Sequence, residues 1–156
     1  MKLFVRNLTQ EDARLVCAWR YDGEYSVYNY PNWEIIIEQN WGLGKALVRD
    51  KEYYALVNDK DELIGHFRLK EHEDYIYLGV GLAPELCGLG LGDTVMQLIK
   101  QESKTQYPDK PLALEVRSFN RRAIQCYRKT GFRLVDIYEL LTPSGRDTFV
   151  RMEYEW

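Results

Sequence analysis

Two stretches of the chain concentrate residues able to do chemistry. The first is Glu85-Leu86-Cys87-Gly88-Leu89-Gly90-Leu91-Gly92. Glycines at alternate positions let the backbone turn tightly and point several N–H groups outward. A helix starting directly after them adds unpaired amides and the positive end of its dipole. Such a turn can cradle a phosphate or diphosphate; the same composition also makes a turn that binds nothing. Two familiar phosphate loops fit poorly. Gly92 is followed by Asp93-Thr94 instead of Lys-Ser/Thr, and Gly-x-Gly-x-Gly deep in the chain is not the fingerprint of a dinucleotide fold.

The second stretch runs from Ser118 to Phe132. Asn120 is a natural helix cap and Gly131 a natural C′ residue. Between them Ala123, Ile124 and Tyr127 share one helical face, with Arg121, Arg122, Arg128 and Lys129 largely elsewhere. By pattern alone Tyr127 is either a core aromatic, the commoner role, or a working phenol.

The elements that must position these stretches follow from periodicity. Leu3 to Arg6 reads as a strand. Thr9, with Asp12 three residues on, starts a helix over about 10–20, and Trp33 to Trp41 reads as a second helix. Tyr53–Val57 and Leu63–Leu69 form a hairpin around Asn58-Asp59-Lys60-Asp61, and Tyr75–Leu82 is a third strand in the central run. On that strand Tyr75, Tyr77, Gly79 and Gly81 share a face, which marks a bulge or a close approach. A helix over 93–105, a strand over 112–116, the Asn120 helix and a hairpin of 134–141 with 149–156 complete the order β-α-α-β-β-β-α-β-α-β-β. Hairpins alternating with strand–helix–strand crossovers predict a mixed α/β (α+β) sheet with helices on its faces.

The glycine turn paired with Asn-Arg-x-Ala-x-x-x-Tyr-x-x-x-Gly-Phe resembles the GNAT superfamily of acetyl-CoA-dependent N-acetyltransferases, and the element order matches over about residues 3–156. The resemblance implies a mostly antiparallel sheet of about seven strands, about four flanking helices, and a V-shaped splay between strands 4 and 5 that takes the pantetheine arm. It implies backbone bonds to pantetheine from Leu82 and Ala83. It implies amides around the diphosphate from Cys87, Gly88, Leu89, Gly90, Leu91, Gly92 and Asp93, and cofactor contacts from Asn120 and Ala123. Tyr127 then reads as the acid that protonates the departing thiolate. The family usually has Arg or Gln where this chain has Cys87, and a neutral thiol offers a phosphate neither a cation nor an amide.

The reaction so implied is direct attack of an amine on a thioester, which needs a base and a donor for the developing oxyanion. Leu112-Ala113-Leu114-Glu115-Val116-Arg117 resembles the ribosomal-protein N-terminal acetyltransferases, where a glutamate at this place serves as base. Glu115 is therefore the first candidate, against a purely structural carboxylate paired with an arginine, or a water chain ending at Glu71, Glu73 or a tyrosine. An amide near Leu82 is the candidate oxyanion donor. The tyrosine-rich loop, with Tyr25, Tyr28 and Trp33, either walls the amine acceptor through its π faces or packs as core.

Composition sets the outer bounds. The 156 residues suit one domain, and a net charge of -3 with interspersed signs disfavours nucleic-acid binding. Cys17, Cys87 and Cys126 are odd in number and far apart, and His66 and His72 do not share a helical face, so no metal is expected. Neither a secretory signal nor a membrane span is evident, which points to the cytoplasm. A homodimer is the default form for an oligomer, and nothing in the sequence specifies one. The competing readings are a non-catalytic acetyl-CoA-binding regulatory module and a plain interaction domain.

Overall fold

The computed structural model describes every residue from Met1 to Trp156. Its strands are β1 (Phe4–Asn7), β2 (Tyr53–Val57), β3 (Leu63–Glu71), β4 (Ile76–Leu82), β5 (Leu112–Arg117), β6 (Arg133–Thr142) and β7 (Gly145–Tyr154). Its α-helices are α1 (Gln10–Ala18), α2 (Trp33–Glu38), α3 (Ala46–Glu52), α4 (Gly92–Gln106) and α5 (Arg121–Lys129). The strands hydrogen-bond in the order β1-β2-β3-β4-β5-β7-β6. The pairs β1–β2, β2–β3, β5–β7 and β6–β7 are antiparallel, and β4–β5 is parallel. This is the mixed, mostly antiparallel sheet expected.

The helix starts show why these segments fold where they do. Thr9 accepts from the Asp12 amide while the Asp12 carboxylate accepts from the Thr9 amide, the reciprocal box anticipated for α1. Asn32 caps α2 and Asn120 caps α5 in the same one-sided way. Helix α3 was not anticipated. It has no apolar stripe: Leu47 is 87% exposed, and the residue it buries is Arg49, whose guanidinium donates to the Leu43 carbonyl at 3.0 Å.

The chain packs as two compact units. The first comprises Met1–Arg68 with Val80–Leu89. Its core gathers Ala13, Val16 and Cys17 of α1, Ile36 of α2, and Tyr53, Ala55 and Val57 of β2, with Trp19, Tyr30, Trp33 and Trp41 packed against them. The second comprises Leu69–Gly79 with Gly90–Trp156. Here α4 buries Val95, Met96 and Ile99; full burial of one such side chain stabilises by about 1.5–3 kcal/mol. The same face of α4 buries Lys100, whose ammonium donates to the Thr130 carbonyl at the end of α5 and lies 4.0 Å from the Tyr154 ring centre.

Two details of the second unit bear on the site. The parallel ladder between β4 and β5 is short, formed by Ile76 opposite Leu112 and Tyr77 opposite Ala113, as the expected splay requires. And β6 carries a bulge: Leu134 faces Met152, but Asp136 faces Arg151, so one extra residue is inserted and every later side chain of β6 changes face. No helix is long and apolar enough to cross a membrane.

Candidate active site

The glycine turn takes the conformation its composition demands. Gly88 and Gly90 have φ of 78° and 79°, in the left-handed region that favours glycine. Space is open around Gly90, with no atom within 4 Å of where a Cβ would stand. Gly92 is glycine for a different reason. It opens α4, and a Cβ there would stand 2.4 Å from the Cys126 sulfur of α5. Leu91 precedes it and offers no side-chain cap, whereas α1, α2 and α5 are each capped by their own Thr or Asn. The first-turn amides of this fifteen-residue helix therefore have no side-chain acceptor. An uncapped N-terminus behind a left-handed glycine with open space beside it fits an anionic diphosphate.

The end of β4 lies in the first unit. The Leu82 carbonyl accepts the Tyr21 hydroxyl at 2.6 Å, and the Cys87 thiol points at the Leu82 and Ala83 carbonyls. Burial pushes the Tyr21 phenol up, which keeps it a donor. The Ala83 amide donates to Ile64 at 2.9 Å. These backbone groups, expected to serve a cofactor, thus already carry internal bonds. Gly81 answers the question raised by the glycines of β4: the His66 ring occupies the space of its side chain, with Cε1 2.8 Å from where a Cβ would be. His66 is 7% exposed, near Trp19 and Tyr30 at ring-centre distances of 6.0 and 6.3 Å, and its Nδ1 has no hydrogen-bond partner. Burial lowers its pKa to about 4, so the ring is neutral at pH 7.

Glu115 lies in the second unit, within a constellation built by four strands. Its Oε1 accepts the Tyr77 hydroxyl of β4 at 2.9 Å, and its Oε2 accepts the Tyr138 hydroxyl of β6 at 2.5 Å. Arg151 of β7 stands directly opposite Glu115 in the ladder. Its guanidinium donates to Glu153 at 3.0 Å, packs over the Tyr75 ring at 4.8 Å and also bonds the Tyr138 hydroxyl. The direct partners of the Glu115 carboxylate are thus the two phenols, and Arg151 is linked to it through the Tyr138 hydroxyl. Burial first, and the Glu115 bond second, push both phenols up, so both stay protonated donors at neutral pH.

The remaining expected residues fall as follows. Tyr127 is half-buried on α5, its ring 5.9 Å from Phe132. It directly follows Cys126, the residue that meets Gly92. Asn120 accepts from the Ala123 amide at 3.2 Å. Tyr25 and Tyr28 lie in a 3-10 turn (Gly23–Tyr28) with ring centres 6.4 Å apart. Trp33 begins α2, packs against the first unit's core and lies 5.8 Å beneath the Arg14 guanidinium. Among the described residues no group of His, Cys, Asp and Glu is arranged to hold a metal.

Four side chains of consequence were not singled out from sequence: Tyr21, His66, Tyr77 and Tyr138. Tyr77 carried a signal, since it shares a face with Gly79 and Gly81. The others carried none, because each acts through a partner distant in sequence.

The chain belongs to the GNAT family of acetyltransferases: the family model described as Acetyltransferase (GNAT) family matches residues 6–132. It is an acetyltransferase by that membership. No curated protein matches it in sequence. Among solved structures it is similar to a chimera of the spermidine N-acetyltransferase SpeG from Vibrio cholerae and hSSAT, at 19% identity and a TM-score of 0.77, covering 99% of this chain and 95% of that one. It is also similar to the spermidine/spermine N-acetyltransferase SpeG from Vibrio cholerae in complex with manganese ions, at 20% identity and a TM-score of 0.75, covering 97% and 91%. A third is the ribosomal-protein-S18-alanine N-acetyltransferase from Escherichia coli, at 19% identity and a TM-score of 0.68, covering 98% and 93%. At these identities the likeness is one of fold.

Proposed function

We propose that this chain is one cytoplasmic N-acetyltransferase domain, which moves an acetyl group from acetyl-CoA to a primary amine of a small molecule or protein by direct attack. One observation carries the reading. Gly92 opens an uncapped helix and at the same place meets Cys126, the neighbour of Tyr127, so the second unit holds bare amides and a phenol on two touching helices.

Acetyl-CoA supplies the thioester whose carbonyl the amine attacks. The protein's part is binding and proton handling. Amides of Gly88, Leu89, Gly90, Leu91, Gly92 and Asp93 hold the diphosphate, which needs no cation at Cys87. Holding the reactants together lowers the barrier by roughly 7–11 kcal/mol in favourable cases. Glu115 takes the proton from the acceptor's ammonium, and Tyr127 gives its own to the departing sulfur. Tyr25, Tyr28 and Trp33 are the residues proposed for the acceptor side.

Thiol release from acetyl-CoA, measured against a panel of polyamines, amino-terminal peptides and other primary amines, tests the reading. At least one amine is expected to be turned over, and Glu115→Gln and Tyr127→Phe each to lower kcat about a hundredfold with the melting temperature little changed. Full activity of both variants across pH would exclude the roles given to them.

A further inference from the structure

We propose that Tyr77 and Tyr138 are positioning residues for the general base, one phenol holding each oxygen of the Glu115 carboxylate so that it meets the acceptor amine in a single orientation. The inference rests on the reading of Glu115 as that base.

The geometry is complete on one face of four neighbouring strands. Tyr77 comes from β4, Glu115 from β5, Arg151 from β7 and Tyr138 from β6. The two phenols reach different oxygens, at 2.9 and 2.5 Å, so the carboxylate is fixed against rotation about its last bond. Each oxygen keeps a further lone pair for a proton. A guanidinium in place of the phenols would also orient the group, but its full charge would oppose protonation. Arg151 is the cation in position to do so; it is engaged with Glu153, stacked on Tyr75 and bonded to the Tyr138 hydroxyl, so it reaches Glu115 through that phenol and not directly. His72 in turn stacks on Tyr75 at 4.6 Å and meets Tyr77 edge-on at 6.4 Å, which braces the inner phenol.

The bulge in β6 makes Tyr138 available. Continuing the register set by Leu134 and Met152 without the extra residue would place Tyr138 opposite Thr148, on the other face of the ladder. With it, Tyr138 stands opposite Phe149 and shares the face of Arg151 and Glu115. Bulges often serve to re-aim a side chain in this way.

A double-mutant cycle tests the clamp, with kcat and KM read separately for thiol release. Tyr138→Phe and Tyr77→Phe are each expected to lower kcat about tenfold with KM for acetyl-CoA unchanged, and to lower it less than about twofold in the Glu115→Gln background. Equal losses in both backgrounds would show that the phenols act elsewhere, and unchanged kcat in both single variants would overturn the clamp while leaving the base in place. Undiminished kcat in Glu115→Gln alone would instead overturn the base assignment and the clamp with it. If Tyr77→Phe does not fold, Tyr138→Phe, from the more exposed strand, carries the test alone.

Discussion

His66 and Glu115 are both titratable residues set inside β-strands, and the protein treats them in opposite ways. His66, on β3, is enclosed by the rings of Trp19 and Tyr30, Nδ1 has no partner, and burial outweighs a backbone bond to Gly81 and drives the ring to the neutral form. Glu115, on β5, is given a hydroxyl for each oxygen. For His66 the cost of burial outweighs a single backbone bond to Gly81 and removes the charge, whereas half-buried Glu115 has a donor for each oxygen. The first arrangement fills space against Gly81, and the second fixes the orientation of a carboxylate.

The sharpest way to break this contrast is to exchange the apolar substitutions. Glu115→Leu should cost about 10²–10⁴ in kcat, the range of a lost general base. His66→Phe, which keeps a ring over Gly81, should leave kcat within about threefold by the same measure. The reverse pattern would mean that the working group is the imidazole.

The next effect is on stability. The His66 pKa is lowered from 6.5 to about 4 on folding, so the unfolded chain binds the extra proton in that window. Stability is fully present above pH 6.5 and is lost as pH falls towards 4, by on the order of 3 kcal/mol for this group. Thermal unfolding followed between pH 7 and 5 should show that slope, and His66→Phe should flatten it.

Two smaller predictions concern the helix starts. Gly92→Ala should destabilise by about 1–3 kcal/mol through overpacking against Cys126, and adding Cys126→Ala should recover most of that loss in thermal melts. Asn120→Ala removes the cap of α5 and should cost about 1 kcal/mol by the same measurement. An Asn120→Ala variant as stable as the parent would mean that α5 is held by packing alone.

Much of this was legible beforehand because it is local. The capping box at Thr9, the caps at Asn120 and Gly131, the hairpins and the glycine turn each depend on residues a few positions apart. Helix α3 escaped because periodicity looks for apolar residues inside, and this helix turns Arg49 inward and Leu47 out. Glu115 was legible as a candidate, yet its surroundings were not. Tyr138 reaches it only because of an extra residue in β6, and no pattern in 134–141 announces that insertion. His66 was invisible for a related reason, since its meaning depends on which residue of the neighbouring strand lacks a side chain.

Lys100 ties the alignment of α4 to that of α5. Its ammonium clasps the closing carbonyl of α5 from a point eight residues along α4, about 12 Å from Gly92 at 1.5 Å of rise per residue. Thr130 is in turn three residues from Tyr127. One buried amine thus acts as a strut that stops the two helices sliding past each other, and so sets how far the phenol stands from the amide end. Shortening or capping that amine would alter spacing across the whole pair while touching neither end.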